Sequence, residues 1–289
     1  MEVIKTIKEL RAALKGRHQN DRTIGLVPTM GFLHDGHASL IRRAAVENAT
    51  VVLSIFVNPT QFGPNEDFER YPRNVEGDLR VAEEAGADFV FMPDIKEMYP
   101  REPMTSVSLV GVTERLCGAS RPGHFDGVAL VVCKLLNIVQ PDRAYFGMKD
   151  AQQVAVIQTM VADLNQDTTI VVCPIVRAAD GLALSSRNVY LSDDEREQAL
   201  MLSQALHKSE DWLKETKGDP VKLRSYIQEY ISASPLADID YIEVLSYPAL
   251  LAPLEWNPAE HADREWIVAL AVRFGTTRLI DNRLIPMKV

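Results

Sequence analysis

TIGLVPTMGFLHDGHASLIRRAAVEN, residues 23–48, decides the fold. Thr23 to Val27 is an apolar run of strand length. It passes directly into Pro28-Thr29-Met30-Gly31-Phe32-Leu33-His34-Asp35-Gly36-His37, after which a helical pattern covers about 37–48. Strand, glycine turn and helix N-terminus in succession make an anion cradle, because unpaired amides and the helix dipole both favour negative charge there. Gly31 and Gly36 have the G-x-x-x-x-G spacing of a Walker A loop, yet His37 and Ala38 stand where Lys and Ser/Thr are required. GxGxxG is also missing, which disfavours a dinucleotide-binding dehydrogenase. The loop offers two imidazoles instead. His34 and His37 read as donors for a polyphosphate, with a His-x-x-His metal pair, or histidines that only cap the helix or face solvent, as the alternatives.

Outward from this loop, strand-length runs alternate with helical patterns. Thr50–Val57, Asp88–Met92, Arg143–Phe146 and Thr169–Ile175 read as strands, and about 74–86, 127–139 and 150–163 as helices. Strands this uniformly apolar are buried on both faces, as in a parallel sheet flanked by helices. GVALVVCKLLNIV is apolar nearly all round and is expected to be deeply packed. After Arg187 the texture changes. Ser192 and Glu195 form a capping box opening a helix to about Lys214, and a second helix covers about 220–232. Strands follow at 240–246, 264–274 and 277–282, with Gly275 at a hairpin turn. The expected architecture is α/β, a Rossmann-like parallel sheet with helices on both faces, followed by a smaller α+β domain. The boundaries are 1–183 and 184–289.

The chain has 289 residues and a formal charge of −9, with no block of five or more like charges. That argues against a nucleic-acid-coating protein, although a local basic pocket for an anion remains compatible with it. There is no apolar run of membrane-spanning length and no secretory leader pattern, so a cytoplasmic protein without a membrane partner is expected. Cys117, Cys133 and Cys173 form no CxxC pair and read as buried free thiols.

Several separated motifs now converge. PTMGFLHDGHASL, SIFVNPTQFGPNEDFERYPR (54–73), RPGHFDGV (121–128), YFGMKDAQQ (145–153) and LSSRN (184–188) occur in order. Together they resemble the pantothenate synthetase, or pantoate-β-alanine ligase, family of nucleotidyltransferases, whose His-x-Gly-His motif is filled by His34-Asp35-Gly36-His37. The resemblance implies ATP-dependent condensation of pantoate with β-alanine through a pantoyl adenylate, releasing AMP and pyrophosphate. It also implies a homodimer and a C-terminal domain closing over the active site.

Under that resemblance, His34, His37, Lys149 and Arg187 are the catalytic candidates, aimed at the departing pyrophosphate. Lys149 follows a strand and precedes a helix, at the carboxyl edge where open α/β sheets bind ligands. ATP would contact Met30, Gly31, Phe32, Leu33 and Asp35–His37, then Gly147, Met148, Lys149 and Asp150, with Val176 near the adenine. Asp150 is alternatively an N-cap. Leu184, Ser185, Ser186 and Arg187 suit a phosphate clamp, or an interdomain linker without a ligand. Gln61 and Gln153 match the family's pantoate-holding amides, and Asn58 and Met30 border the same pocket; a buried glutamine can also be a satisfied core amide. Phe62 is expected to pack. Mg²⁺ is expected with ATP, and Asp78 is its candidate ligand although its surroundings read as helix surface. Arg121 and His124 are expected to shape the site wall. The rivals are an enzyme like the tRNA ligases, which would need a basic RNA-binding region, and a nucleotide-sensing module that binds ATP without releasing pyrophosphate.

Overall fold

The computed structural model describes residues 1–16, 23–64, 66–254 and 265–287. These form two compact units. The first comprises 1–110, 121–148 and 156–174; the second comprises 111–120, 149–155 and 175–289.

The first unit is built on β1 (Glu2–Ile4), β2 (Ile24–Thr29), β3 (Thr50–Ile55), β4 (Phe89–Phe91), β5 (Arg143–Gly147) and β6 (Thr169–Cys173). All pair in parallel in the order β1-β4-β3-β2-β5-β6. The chain builds outward from β2 in one direction through β3 and β4, then returns to β2's other side with β5. The carboxyl ends of β2 and β5 therefore flank the point where strand order reverses, where open α/β sheets place their ligands. Helices α2 (Asp35–Glu47) and α3 (Val75–Ala85) pack through Ala38, Ile41, Ala44, Ala82 and Ala85 onto Val27, Val51, Leu53, Ile55, Val90 and Tyr145. Side chains alternate along a strand, and the intervening Leu26, Val52, Phe89 and Phe91 are buried too. After the short helices α4 (Ile95–Met98) and α5 (Leu116–Ser120), helix α6 (His124–Val139) lies against β2, and α1 (Ile7–Leu14) lies against α6. As its composition required, α6 is buried on several sides, from Phe125 through Val139, but Cys133 on it is half-buried, whereas Cys117 and Cys173 are buried as expected.

The second unit pairs α8 (Asp193–Glu215) and α9 (Pro220–Ser232) with an antiparallel sheet, β7 (Ala237–Tyr247), β8 (Glu265–Phe274) and β9 (Thr277–Pro286). Leu202, Leu206, Leu223 and Ile227 pack with Ile242, Val244, Val268, Leu270 and Val272. The Ser192/Glu195 capping box opens α8 as expected, and Gly275, at φ 57°, makes the β8–β9 turn.

Some limits differ from the sequence expectation. Strand β6 stops at Cys173 rather than residue 175, because Pro174 has no N–H for the ladder. Strand β7 starts three residues earlier and β9 runs four further, while the expected start of β8 at Arg264 lies outside the described residues. Short β1 was not anticipated; with three residues it carries no readable alternation.

The division expected between 183 and 184 also falls elsewhere. Residues 175–183 join the second unit through a turn in which Ala178 N–H donates to Leu182 O (2.8 Å). Arg177 adds a bidentate ion pair to buried Asp281, at 2.6 and 3.0 Å. Segments 111–120 and 149–155 are tied together by Gln152, whose Nε2 donates to the carbonyls of Val112 (2.9 Å) and Arg115 (2.7 Å). Asn282 Nδ2 donates to Lys149 O (2.9 Å), fastening 149–155 to β9.

Candidate active site

After β2 the backbone turns sharply: Gly31 has φ 85° and Phe32 φ 51°. A Cβ on Gly31 would stand 2.9 Å from Asp78 Oδ2 and 3.0 Å from Ile55 Cγ2. Glycine is required here both for its left-handed conformation and for space.

Asp78 holds this loop. Its Oδ2 accepts from Phe32 N–H (2.9 Å) and its Oδ1 from Leu33 N–H (2.6 Å). The residue is 3% exposed, which corrects the helix-surface reading. Burial pushes its carboxyl above the ordinary range, against the pull of the two amides. Each oxygen accepts one backbone N–H, so the carboxylate orients the loop and keeps a further lone pair on each oxygen. Asp78→Ala should lower stability by about 2–4 kcal/mol, because two half-buried loop amides lose their buried acceptor. Denaturant unfolding measures this; a change within about 0.5 kcal/mol, as for a surface carboxylate, would contradict it.

The two loop histidines cap α2 reciprocally. His34 is the N-cap and its Nδ1 accepts from Gly36 N–H (3.1 Å), while His37 Nδ1 accepts from His34 N–H (3.3 Å). Their rings lie 4.1 Å apart, tilted by 41°. This is a capping box with imidazoles in place of Ser and Glu. An Nδ1 that accepts cannot carry the ring hydrogen, so each neutral ring bears it on Nε2. Capping and donation are thereby divided between the two nitrogens of each ring. Helix α2 starts at Asp35, two residues earlier than the hydrophobic pattern indicated, because the pair closes its first turn. Among the described residues no group of three or more His, Cys, Asp or Glu side chains is placed to hold a metal ion.

After β3, residues 59–61 make a single 3-10 turn. Gln61 is buried; its Oε1 accepts from Asn58 Nδ2 (3.1 Å), and its Nε2 points to Met30 Sδ (3.1 Å). Asn58 Oδ1 in turn accepts from Tyr99 O–H (2.9 Å). The structure thus brings together Met30, Asn58 and Gln61, which the sequence had grouped. Phe62 packs edge-on against Phe68 and Tyr71, at ring separations of 5.4 and 6.1 Å. Gly147 ends β5, and a Cβ there would meet nothing within 4 Å. Met148 is buried beside it.

The remaining candidates belong to the second unit. Lys149 and Asp150 sit in the 3-10 turn before α7 (Ala151–Asp163), so Asp150 stands where an N-cap would. Gln153 is half-buried in the first turn of α7. Its neighbour Gln152, not singled out by sequence, is the amide saturated by backbone. Leu184 N–H donates to Val176 O (3.0 Å), next to an isolated antiparallel bridge between Arg177 and Ala183. Ser185 caps the next 3-10 turn, accepting from Arg187 N–H (3.3 Å), and Ser186 is buried. The Ser185 hydroxyl oxygen and the Arg187 backbone N–H are therefore joined in a folded turn, where the sequence allowed a plain linker.

The pantoate-beta-alanine ligase family model matches residues 2–284. A pantothenate synthetase of Acetivibrio thermocellus is 54% identical over 287 residues, covering 99% of this chain and 100% of the relative. That of Bacillus cereus is 48% identical over 288 residues, covering 100% of both. Among solved structures, pantothenate synthetase from Thermus thermophilus is similar with a TM-score of 0.90 at 43% identity, covering 100% of both chains. Pantoate-beta-alanine ligase from Francisella tularensis, complexed with beta-gamma ATP and beta-alanine, gives a TM-score of 0.78 at 35% identity and covers 98% of this chain and 97% of that one. The similarity runs the whole length of the sequence, through the histidine loop, the glutamine turn and the Ser-Ser-Arg turn alike: the chain belongs to the pantoate-beta-alanine ligase family.

Proposed function

We propose that this enzyme joins pantoate to β-alanine in two steps through an enzyme-bound pantoyl adenylate. The overall ligation to pantothenate, driven by ATP, follows from family membership along residues 2–284. In the first step a pantoate carboxylate oxygen attacks the α-phosphorus of ATP, and the bond to the β-phosphate oxygen breaks, releasing pyrophosphate. In the second the β-alanine amine attacks the adenylate's carbonyl carbon, AMP departs and the nitrogen loses a proton.

The observation that carries the assignment of phosphate chemistry to the 30–37 loop is the reciprocal histidine cap. It fixes both Nδ1 atoms as acceptors and leaves the hydrogen on each Nε2, a donor for negative charge developing on the leaving pyrophosphate. Lys149 and Arg187 supply further cationic donors. Met30–His37, Gly147–Asp150, Val176 and Leu184–Arg187 are read as the ATP contacts; the open space beside Gly147 suits a ligand approaching its backbone. Gln61, Gln153 and Asn58 are read as holding pantoate and β-alanine. Gln61, whose Oε1 is taken by Asn58, would act through its Nε2 hydrogens. Asp78, which also holds the histidine loop, is read as the residue that would help to hold a magnesium ion, whose charge would offset that of the ATP phosphates. No helix of the described residues is long and apolar enough to cross a membrane. A homodimer in the cytoplasm is the setting that the family resemblance supports.

Product analysis tests the reading. Incubation with pantoate, β-alanine and MgATP should yield AMP and pyrophosphate in equal amounts with pantothenate. ADP and inorganic phosphate as the primary products would require attack at the γ-phosphorus and overturn it.

A further inference from the structure

RPGHFDGV, residues 121–128, is densely bonded to the glutamine turn. His124 opens α6; its Nδ1 lies 2.8 Å from the Gln61 carbonyl oxygen, and its Nε2 lies 3.0 Å from Arg121 Nη1. A carbonyl oxygen only accepts, and a guanidinium only donates. The ring hydrogen must therefore be on Nδ1, with Nε2 bare. An imidazolium would turn a second N–H toward the guanidinium, so the two neighbours select one form of the ring.

Arg121 is itself fixed. Its Nε and Nη2 donate to the two carboxylate oxygens of Glu66 at 2.6 and 2.5 Å, the bidentate geometry that orients a guanidinium best. Burial acts to raise the Glu66 carboxyl, but the hydrogen bonds and charge of Arg121 outweigh it and hold the group below the ordinary carboxylate range. Arg121 Nη2 also approaches Gln61 O at 3.4 Å. On the other side the α6 backbone presses directly on the turn: a Cβ on Gly127 would come within 2.2 Å of Thr60 O and 2.6 Å of Gln61 N. Gly127 O accepts from the same Asn58 Nδ2 that donates to the Gln61 side chain.

We propose that His124 is a positioning residue for pantoate: held as the Nδ1–H tautomer by the Glu66–Arg121 pair, it fixes the Gln61 carbonyl and so sets the direction in which the Gln61 amide presents its hydrogens. This rests on the reading that Gln61 holds pantoate. Through a short turn, a rotation of the Gln61 peptide would swing the side chain away from Asn58 and Met30, so a group that touches no substrate controls substrate orientation.

Steady-state kinetics of Gln61→Ala, His124→Ala, His124→Asn and the Gln61→Ala/His124→Ala double variant test the proposal. His124→Ala should raise the KM for pantoate about tenfold or more while leaving the KM for ATP within about twofold, because only one substrate's orientation is lost. His124→Asn, whose amide N–H can replace Nδ1–H, should recover most of the loss. In the double variant the KM for pantoate should be no higher than in Gln61→Ala alone, the sign of two residues acting as one. Multiplying effects, or equal rises in both KM values, would overturn the proposal. If Gln61→Ala leaves the KM for pantoate unchanged, the pantoate reading itself fails; if Gln61→Ala raises it and His124→Ala does not, only the positioning role fails. Should His124→Ala not fold, ring ¹⁵N shifts of His124 in the unaltered enzyme decide. Hydrogen on Nδ1 near neutral pH supports the proposal, whereas the Nε2–H tautomer or an imidazolium overturns it.

Discussion

Replacing Lys149 by alanine is expected to cut turnover by about a hundredfold or more and to leave the fold intact. The backbone explains why these effects separate. Lys149 sits in the short turn after β5, and its carbonyl, not its side chain, makes the hydrogen bond to Asn282. The half-buried ammonium can be removed without disturbing that anchor. What is lost is a cationic donor whose interaction strengthens as pyrophosphate departs, so kcat should fall more than the KM for ATP rises. Steady-state kinetics beside a thermal melt checks this; a near-normal kcat would return Lys149 to the role of a surface lysine.

His34→Asn should have a comparably large effect, and the choice of asparagine matters. Alanine would remove the N-cap and the donor together, confounding a helix-capping loss of about 1 kcal/mol with chemistry. Asparagine is among the best N-cap residues, so its carbonyl oxygen can take over from Nδ1, but it has no counterpart of Nε2–H. The variant should therefore melt near the unaltered enzyme while its adenylation rate drops about a hundredfold. Supplying purified pantoyl adenylate with β-alanine should restore much of the amide-forming rate. Full adenylation by a stable His34→Asn protein would mean that the histidines only cap the helix.

The sequence made much of this architecture readable, and the exceptions have physical causes. β2 and the following loop were legible because apolar run, glycines and helix signal follow one another without interruption. The Ser192/Glu195 box and the Gly275 turn were legible because capping and left-handed turns select few residue types. Asp78 was misread as surface because a lone carboxylate in a helix seldom has a buried partner. The signal was its spacing, four and seven residues before Ala82 and Ala85, which places all three on the buried face of α3. The His34/His37 spacing is that of a capping box, and its reciprocal geometry lay hidden only because histidine is an unusual cap. Gln152 and Gln153 show the harder limit. Adjacent amides on a helix point about a hundred degrees apart, and only the position of the 111–120 carbonyls reveals that Gln152 is the one saturated by backbone. The same applies to His124 and Arg121, whose partner, the Gln61 carbonyl, carries no mark in the sequence.

The central claim is that adenylation of pantoate precedes, and does not need, the amine. Positional isotope or label exchange tests it most directly: incubate the enzyme with MgATP, pantoate and labelled pyrophosphate, omit β-alanine, and follow label entering ATP. If the Gln61 amide helps to hold pantoate in line with the α-phosphorus, the first step becomes effectively intramolecular. Label should then enter ATP at a rate that depends on pantoate, and Gln61→Ala should depress that rate sharply. Exchange that strictly required β-alanine would contradict the two-step account.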